Sequence, residues 1–288
     1  MQPQNYILAL ITFPALLISH PLLAVPLNSP ASSALFDNPI ISLGLLGKMP
    51  PPLPIGSSNE ADRKDLELRD RTLQLAASGQ VSQALQVAQT IEDAHAKSWA
   101  LHDIAVKLLE AGQVSQSLQV TQTIKGCYQK ASVLLKIAAQ YQVARQTDKV
   151  LPILAQTLPI AQAIASVNWK AETLATIARQ YREARQGDRA LPILSAAIQS
   201  AQALKDANWK AQVLTKIAGE YREAGQGDRA LPILSDALQS AQAIEIDFFK
   251  ASALREIADE YRKAGQEEQA SEILSQAEEL KPRRPTLQ

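Results

Sequence analysis

Chemistry needs a nucleophile, an acid and base pair, a metal cage or a phosphate cradle, and the sequence offers few parts for any of them. Its imidazoles are His20, His95 and His102, three in 288 residues. His95 and His102 stand seven residues apart on a helical stretch. At ~1.5 Å rise per residue they are roughly 10 Å apart, too far to share one ion, and both read as surface residues. Cys127 is the single cysteine. It follows Gly126 with no histidine near it in sequence to activate its thiol, so it reads as inert, and it excludes an intrachain disulfide. Glu183, Asp188, Glu223 and Asp228 recur beside arginines, as on a solvated face with exposed ion pairs. Gly225-Gln226-Gly227 joins helix to helix rather than strand to helix, so it does not build a nucleotide site. The chain reads as a non-enzyme with no cofactor and no metal.

What the residues can do is hold a partner. Arg182, Arg222 and Arg262 recur at steps of 40, with Lys136 and Lys216 close to the same register. A ladder of this kind is able to grip acidic or carboxylate-bearing segments; the competing reading pairs the arginines with neighbouring glutamates between units. A formal net charge of zero, with no long run of Lys or Arg, excludes a broad attraction to phosphate backbones and so excludes nucleic acid.

The ladder exists because the sequence repeats. The 37 residues from Asn168 recur almost unchanged from Asn208, and Tyr141, Tyr181, Tyr221 and Tyr261 keep the same step of 40, as do Lys130, Lys170, Lys210 and Lys250. Two shorter units precede them, with Gly79 and Gly112 in ASGQVSQALQV and EAGQVSQSLQV lying 33 apart, so six units result. Within a unit Leu214, Ile217, Ala218 and Tyr221 follow i, i+3, i+4, i+7, one stripe of a helix A. After Gly225-Gln226-Gly227-Asp228, residues Ala230, Leu234, Ala237, Leu238 and Ala241 form the stripe of a helix B. Asp228 is placed to cap helix B, and Pro152, Pro192 and Pro232 fall in about its first turn. Pro159, deep in the third B helix, predicts a kink.

These stripes resemble the tetratricopeptide (TPR) family, whose unit of about 34 residues wants large, Leu, small and aromatic positions in helix A and small, large, small positions in helix B. The resemblance covers about residues 61–282, with six extra residues in the three middle units. It implies an all-α fold: a right-handed α-solenoid of stacked antiparallel helix pairs whose A helices line a concave, partner-binding groove. It also makes Leu174, Leu214, Leu254, Ile177, Ile217, Ile257, Ala178, Ala218, Ala258 and the four tyrosines the repeat core. Trp169, Trp209 and Phe249, just before helix A, are expected to close over the preceding B helix. The family's chaperone-tail clamp is not expected, because its matching sites here are Ala139, Arg179, Gly219 and Asp259. The function implied is a protein or peptide-binding scaffold, with self-association of stacked units as the second reading and an unrecognised hydrolase as the third.

Upstream, Tyr6 to Ile18 is an uncharged stretch suited to a secretory h-region better than to a membrane span, which predicts export through a leader of residues 1–34, with a membrane anchor or a cytoplasmic protein as alternatives. Residues 35–60 form a Pro-rich linker ending in Met49-Pro50-Pro51-Pro52-Leu53-Pro54, and 283–288 a short tail.

Overall fold

In a computed structural model of the chain, residues 60–280 are described; the expected leader, nearly all of the Pro-rich linker, Pro282 and the tail lie outside them. Twelve helices follow in order: α1 (Glu60–Ala77), α2 (Val81–Thr90), α3 (Ala94–Glu110), α4 (Val114–Thr123), α5 (Cys127–Val143), α6 (Thr147–Gln162), α7 (Val167–Glu183), α8 (Gly187–Gln202), α9 (Ala207–Glu223), α10 (Gly227–Gln242), α11 (Asp247–Lys263) and α12 (Glu267–Glu279). Odd-numbered helices are the A helices and even-numbered ones the B helices, giving the six pairs that the repeats imply. There is no strand among the described residues.

Each A helix ends because its chain turns left-handed. After α9, the Gln226 amide donates to the Tyr221 carbonyl at 2.8 Å and the Gly225 amide to the Arg222 carbonyl at 2.9 Å, which satisfies carbonyls the helix cannot use itself. The hinge residue has positive φ in all six pairs: Gly79, Gly112, Gly225 and Gly265, but Arg145 (φ 57°) and Arg185 (φ 59°) in the third and fourth. A side chain there crowds its own carbonyl.

Two local expectations fail. Asp228 does not cap α10: Gln226 holds the N-cap position without a side-chain cap bond, and Asp228 sits in the first turn, where its charge faces the positive end of the helix. Side-chain caps are made instead by Asp93, accepting from the Ala96 amide at 2.6 Å, and Asp206, accepting from the Trp209 amide at 2.8 Å, both at the start of A helices. The second failure concerns Pro152, Pro192 and Pro232, each the sixth residue of its helix and a turn deeper than expected, so each removes an intrahelical bond. The α-helical assignment of α6 nevertheless runs unbroken through Pro159 to Gln162.

The apolar stripes meet in one continuous core. Leu174, Leu214, Leu254, Ile177, Ile217, Ile257, Ala178, Ala218, Ala258, Tyr181, Tyr221 and Tyr261 are all buried, while Tyr141 is half-buried against the same core. The Tyr221 hydroxyl lies 3.2 Å from Ser195 Oγ of α8, so the ring closes the seam between two units. Every A helix packs on its own B helix and on the next A helix; every B helix also packs on the next A helix, whereas consecutive B helices do not pack on one another to a comparable extent. The A helices therefore form a layer packed side by side, while the B helices stand further apart. Small residues permit this: Ala178, Ala218 and Ala258 let backbones approach.

The outermost described helices expose many polar residues alongside Leu66, Leu73, Phe248 and Phe249. Aligning Gly79 with Gly225 puts Arg63, Glu67, Asp70 and Gln74 where Trp209, Val213, Lys216 and Glu220 face the preceding A helix, and all four are exposed. At the other end, the surface of α12 carries five glutamates and no basic residue. No described helix is long and apolar enough to cross a membrane.

Candidate functional site: the inner face of the A helices

Every pair of consecutive A helices is tied by at least one polar bond, and Arg182–Glu220 and Arg222–Glu260 occupy the same register. Arg69 of α1 reaches Asp103 of α3 at 3.2 Å, and His102 Nε2 lies 3.3 Å from Ser132 Oγ of α5. Gln180 of α7 donates to the Leu135 carbonyl of α5 at 3.0 Å. Lys216 of α9 reaches Glu172 of α7 at 3.5 Å, Arg182 of α7 reaches Glu220 of α9 at 3.0 Å, and Arg222 of α9 reaches Glu260 of α11 at 3.2 Å. Because these bonds recur at each seam, they fix the pitch of the A-helix layer and the spacing of whatever it displays.

The cationic ladder is thus largely engaged between units. Arg222 also holds Glu223 at 2.8 Å, and its guanidinium is held above its usual range by these carboxylates against the cost of burial. Burial pushes the Glu220 carboxyl up, opposed by Arg182. Burial likewise pushes the Lys216 amine down against the pull of Glu172, and the Lys136 amine down against that of Glu110. Arg262, in the last described pair, meets no later A helix among the described residues; it lies 3.6 Å from Glu267 with both side chains well exposed. What the A-helix layer presents is a line of neutralised pairs rather than a row of open cations.

The feature that sequence reading missed is a chain of aromatic rings along the edge where the A helices begin. Trp99, Tyr128, Trp169 and Trp209 follow one another with ring centroids 5.9, 4.4 and 5.3 Å apart. Trp169 therefore leans on both Tyr128 and Trp209 along this edge, and Phe249 pairs at 5.5 Å with Phe248. Burial and the nearby Glu172 hold the Tyr128 hydroxyl neutral far above its usual range. Trp99 is buried, with Arg69 stacked over it at 5.5 Å. Trp169 and Trp209 are half-exposed, and neither indole N–H meets an acceptor among the described residues. Trp99 and Tyr128 escaped notice because they are the sixth and second residues of their helices, out of step with the third-position Trp169 and Trp209. The available signal was coarser: an aromatic residue near the start of every A helix from the second unit on.

The exposed large apolar residues have the same distribution. They are Leu66, Leu73, Val143, Val167, Ile246, Phe248 and Phe249, all on A helices or immediately before one. None lies on a B helix.

One histidine departs from expectation. His102 is buried at 4% exposure, with Nδ1 3.0 Å from Asp103 and Nε2 facing Ser132. It is buried because α5 covers the face of α3 that carries it. Ser132, His102 and Asp103 thus form a hydroxyl–imidazole–carboxylate line, two of whose links acyl transfer requires. Ser132 lies in the second turn of α5, where backbone amides are spent on intrahelical bonds, so the geometry lacks paired N–H groups to receive an oxyanion. The line occupies the same seam register as Arg69 with Asp103, and bridging helices accounts for it. His95, by contrast, is exposed and accepts from the Trp99 indole at 3.0 Å. No cluster of His, Cys, Asp and Glu able to hold a metal occurs among the described residues.

The fold these residues define is a TPR-like all-α solenoid. No family model matches the chain, and no curated protein matches it in sequence. In structure it is similar to a Podosopora anserina protein built from nearly identical TPR-like repeats (18% identity, 66% of this chain and 96% of that one, TM-score 0.48). It is also similar to BtubC from P. vanneervenii (16% identity, 79% and 96%, TM-score 0.48). A third likeness is to a signal-transduction ATPase with a tetratricopeptide repeat sensor from Pyrococcus horikoshii (16% identity, 88% and 40%, TM-score 0.47).

Proposed function

We propose that this protein is a non-catalytic scaffold that holds an extended segment of another protein along the inner face of its A helices. The observation that carries the reading is the placement of the exposed large apolar side chains, every one of which lies on an A helix or immediately before one. A soluble helical array has no stability reason to expose Phe248 at 76% on one layer while keeping the other free of such residues. Arg182, Arg222 and Lys216 serve by setting the pitch, and Arg262 supplies positive charge on the last described A helix. Self-association by end-to-end stacking is the second reading, favoured by exposed Leu66 and Leu73 on the first described A helix and Phe248 and Phe249 on the last.

The test is a peptide selected against the full chain from a random display library, with its affinity measured by calorimetry. Trp169→Ala combined with Trp209→Ala should weaken binding by about 2 kcal/mol, roughly thirtyfold, with helicity unchanged. Gln199→Ala on the exposed side of α8 should leave it unaltered. Binding that survives the double substitution and is lost on α8 would place the partner surface on the outer layer and overturn the reading.

A further inference from the structure

The aromatic edge and the Pro-rich segment of the same chain are suited to each other, and we infer that residues Met49–Pro54 dock on the Tyr128–Trp169–Trp209 edge. The docking is independent of the proposed function and is tested separately.

The first argument is chemical. The segment reads MPPPLP, with four prolines. Proline fixes φ near −65° and lacks an N–H, so such a run presents flat ring faces and unpaired carbonyls at little conformational cost. Surfaces that recognise such a run combine aromatic faces with a side-chain donor for the carbonyls. Trp169 and Trp209 offer that combination: half-exposed rings in mutual contact at 5.3 Å, and indole N–H groups with no acceptor among the described residues.

The second argument is topological. All A helices run in one direction, so the start of α1 lies at the same edge of the stack as the starts of α5, α7 and α9, where Tyr128, Trp169 and Trp209 are the second or third residues. Asp65 fixes that alignment by accepting from the Glu92 and Asp93 amides at 3.1 and 2.8 Å, just ahead of α3. Glu60 therefore lies at the aromatic edge.

The third argument is length. Six residue steps separate Pro54 from Glu60 and span at most about 20 Å. Packed helices lie 8–10 Å apart, so α5, two A helices along from α1, is about 16–20 Å away and within reach. From there six residues of polyproline helix cover about 19 Å, roughly the further two steps from α5 to α9. The segment is long enough to lie along the edge from Tyr128 to Trp209 and no longer.

The protein's only tryptophans are Trp99, Trp169 and Trp209, two of them on the proposed surface, so their fluorescence reads the docking directly. In the full chain, replacing Pro50, Pro51, Pro52 and Pro54 by Ser should shift the indole emission to the red and increase its quenching by acrylamide. The synthetic peptide KMPPPLP should bind that variant and should bind the unsubstituted protein on the order of tenfold more weakly, about 1.4 kcal/mol, because the site is already filled. Adding Trp209→Ala to the variant should abolish peptide binding with circular dichroism unchanged. Unchanged quenching together with equal peptide affinity for the two proteins would overturn the inference while leaving the groove reading intact. Quenching protection that rises with protein concentration, with dimers in light scattering, would overturn it in favour of docking onto a second copy.

Discussion

Arg182→Ala separates a seam that is held by burial from one that is merely decorated with charge. The Glu220 side chain is 11% exposed and meets Arg182 at 3.0 Å. Removing the guanidinium leaves a largely desolvated carboxylate without its main partner, and such a loss costs about 2 kcal/mol. Arg262 is the internal control, since its contact with Glu267 is 3.6 Å with side chains 46% and 71% exposed, and Arg262→Ala should cost under about 0.5 kcal/mol. The pH dependence gives a second reading. Burial raises the folded carboxyl of Glu220 above its unfolded value, so just above that value the folded state binds more protons, and stability falls as pH rises through the window. Without Arg182 the window extends upward, so the variant's deficit should be larger at about pH 7 than at about pH 4. Arg182→Met with Glu220→Gln leaves no stranded charge and should recover most of the loss. Urea denaturation monitored by circular dichroism measures all of these. Equal costs for the Arg182 and Arg262 variants, or a deficit independent of pH, would refute the reasoning.

Other variants probe the turns, helices and seams by the same measurement. Arg185→Gly, and likewise Arg145→Gly, should stabilise by about 0.5–1 kcal/mol, because glycine adopts positive φ without steric cost. Pro232→Ala, at an exposed position in the second turn of α10, should stabilise by about 1–2 kcal/mol, the restored bond outweighing the freer unfolded chain. Tyr221→Phe should cost about 1 kcal/mol by removing the hydroxyl that reaches Ser195 across a buried seam.

Which parts of this structure are visible in the sequence follows from the range of the interaction. The stripe Leu214, Ile217, Ala218, Tyr221 announces helix A because its period is local, and the step of 40 announces the stack because every copy meets the same neighbours. The cap at Asp228 was misread for a physical reason: the Gly225 turn makes Gln226 the last non-helical residue, and Asp228 falls inside the helix, a shift of two residues that pattern alone does not resolve. His102 reads as a surface residue because nothing local reveals that α5 lies over it. The aromatic edge was harder still. Its members come from α3, α5, α7 and α9 at unequal positions in their helices, and only the lateral packing of those helices brings the rings together. The Arg182 and Arg222 ladder is visible as a ladder, but its pairing with Glu220 and Glu260 depends on which helix faces the guanidinium.

Everything proposed rests on A helices lying side by side in one curved inner layer, and a distance across that layer tests it. Spin labels at Glu110→Cys in α3 and Lys263→Cys in α11, with Cys127→Ser, occupy matching exposed positions four A-helix steps apart. Pulsed electron–electron resonance should give a narrow distribution at about 30–40 Å, the sum of four helix spacings of 8–10 Å drawn in slightly by curvature. A mean below about 20 Å, as a folded-back globule would give, or a broad distribution without a dominant distance, would contradict the solenoid and the groove with it.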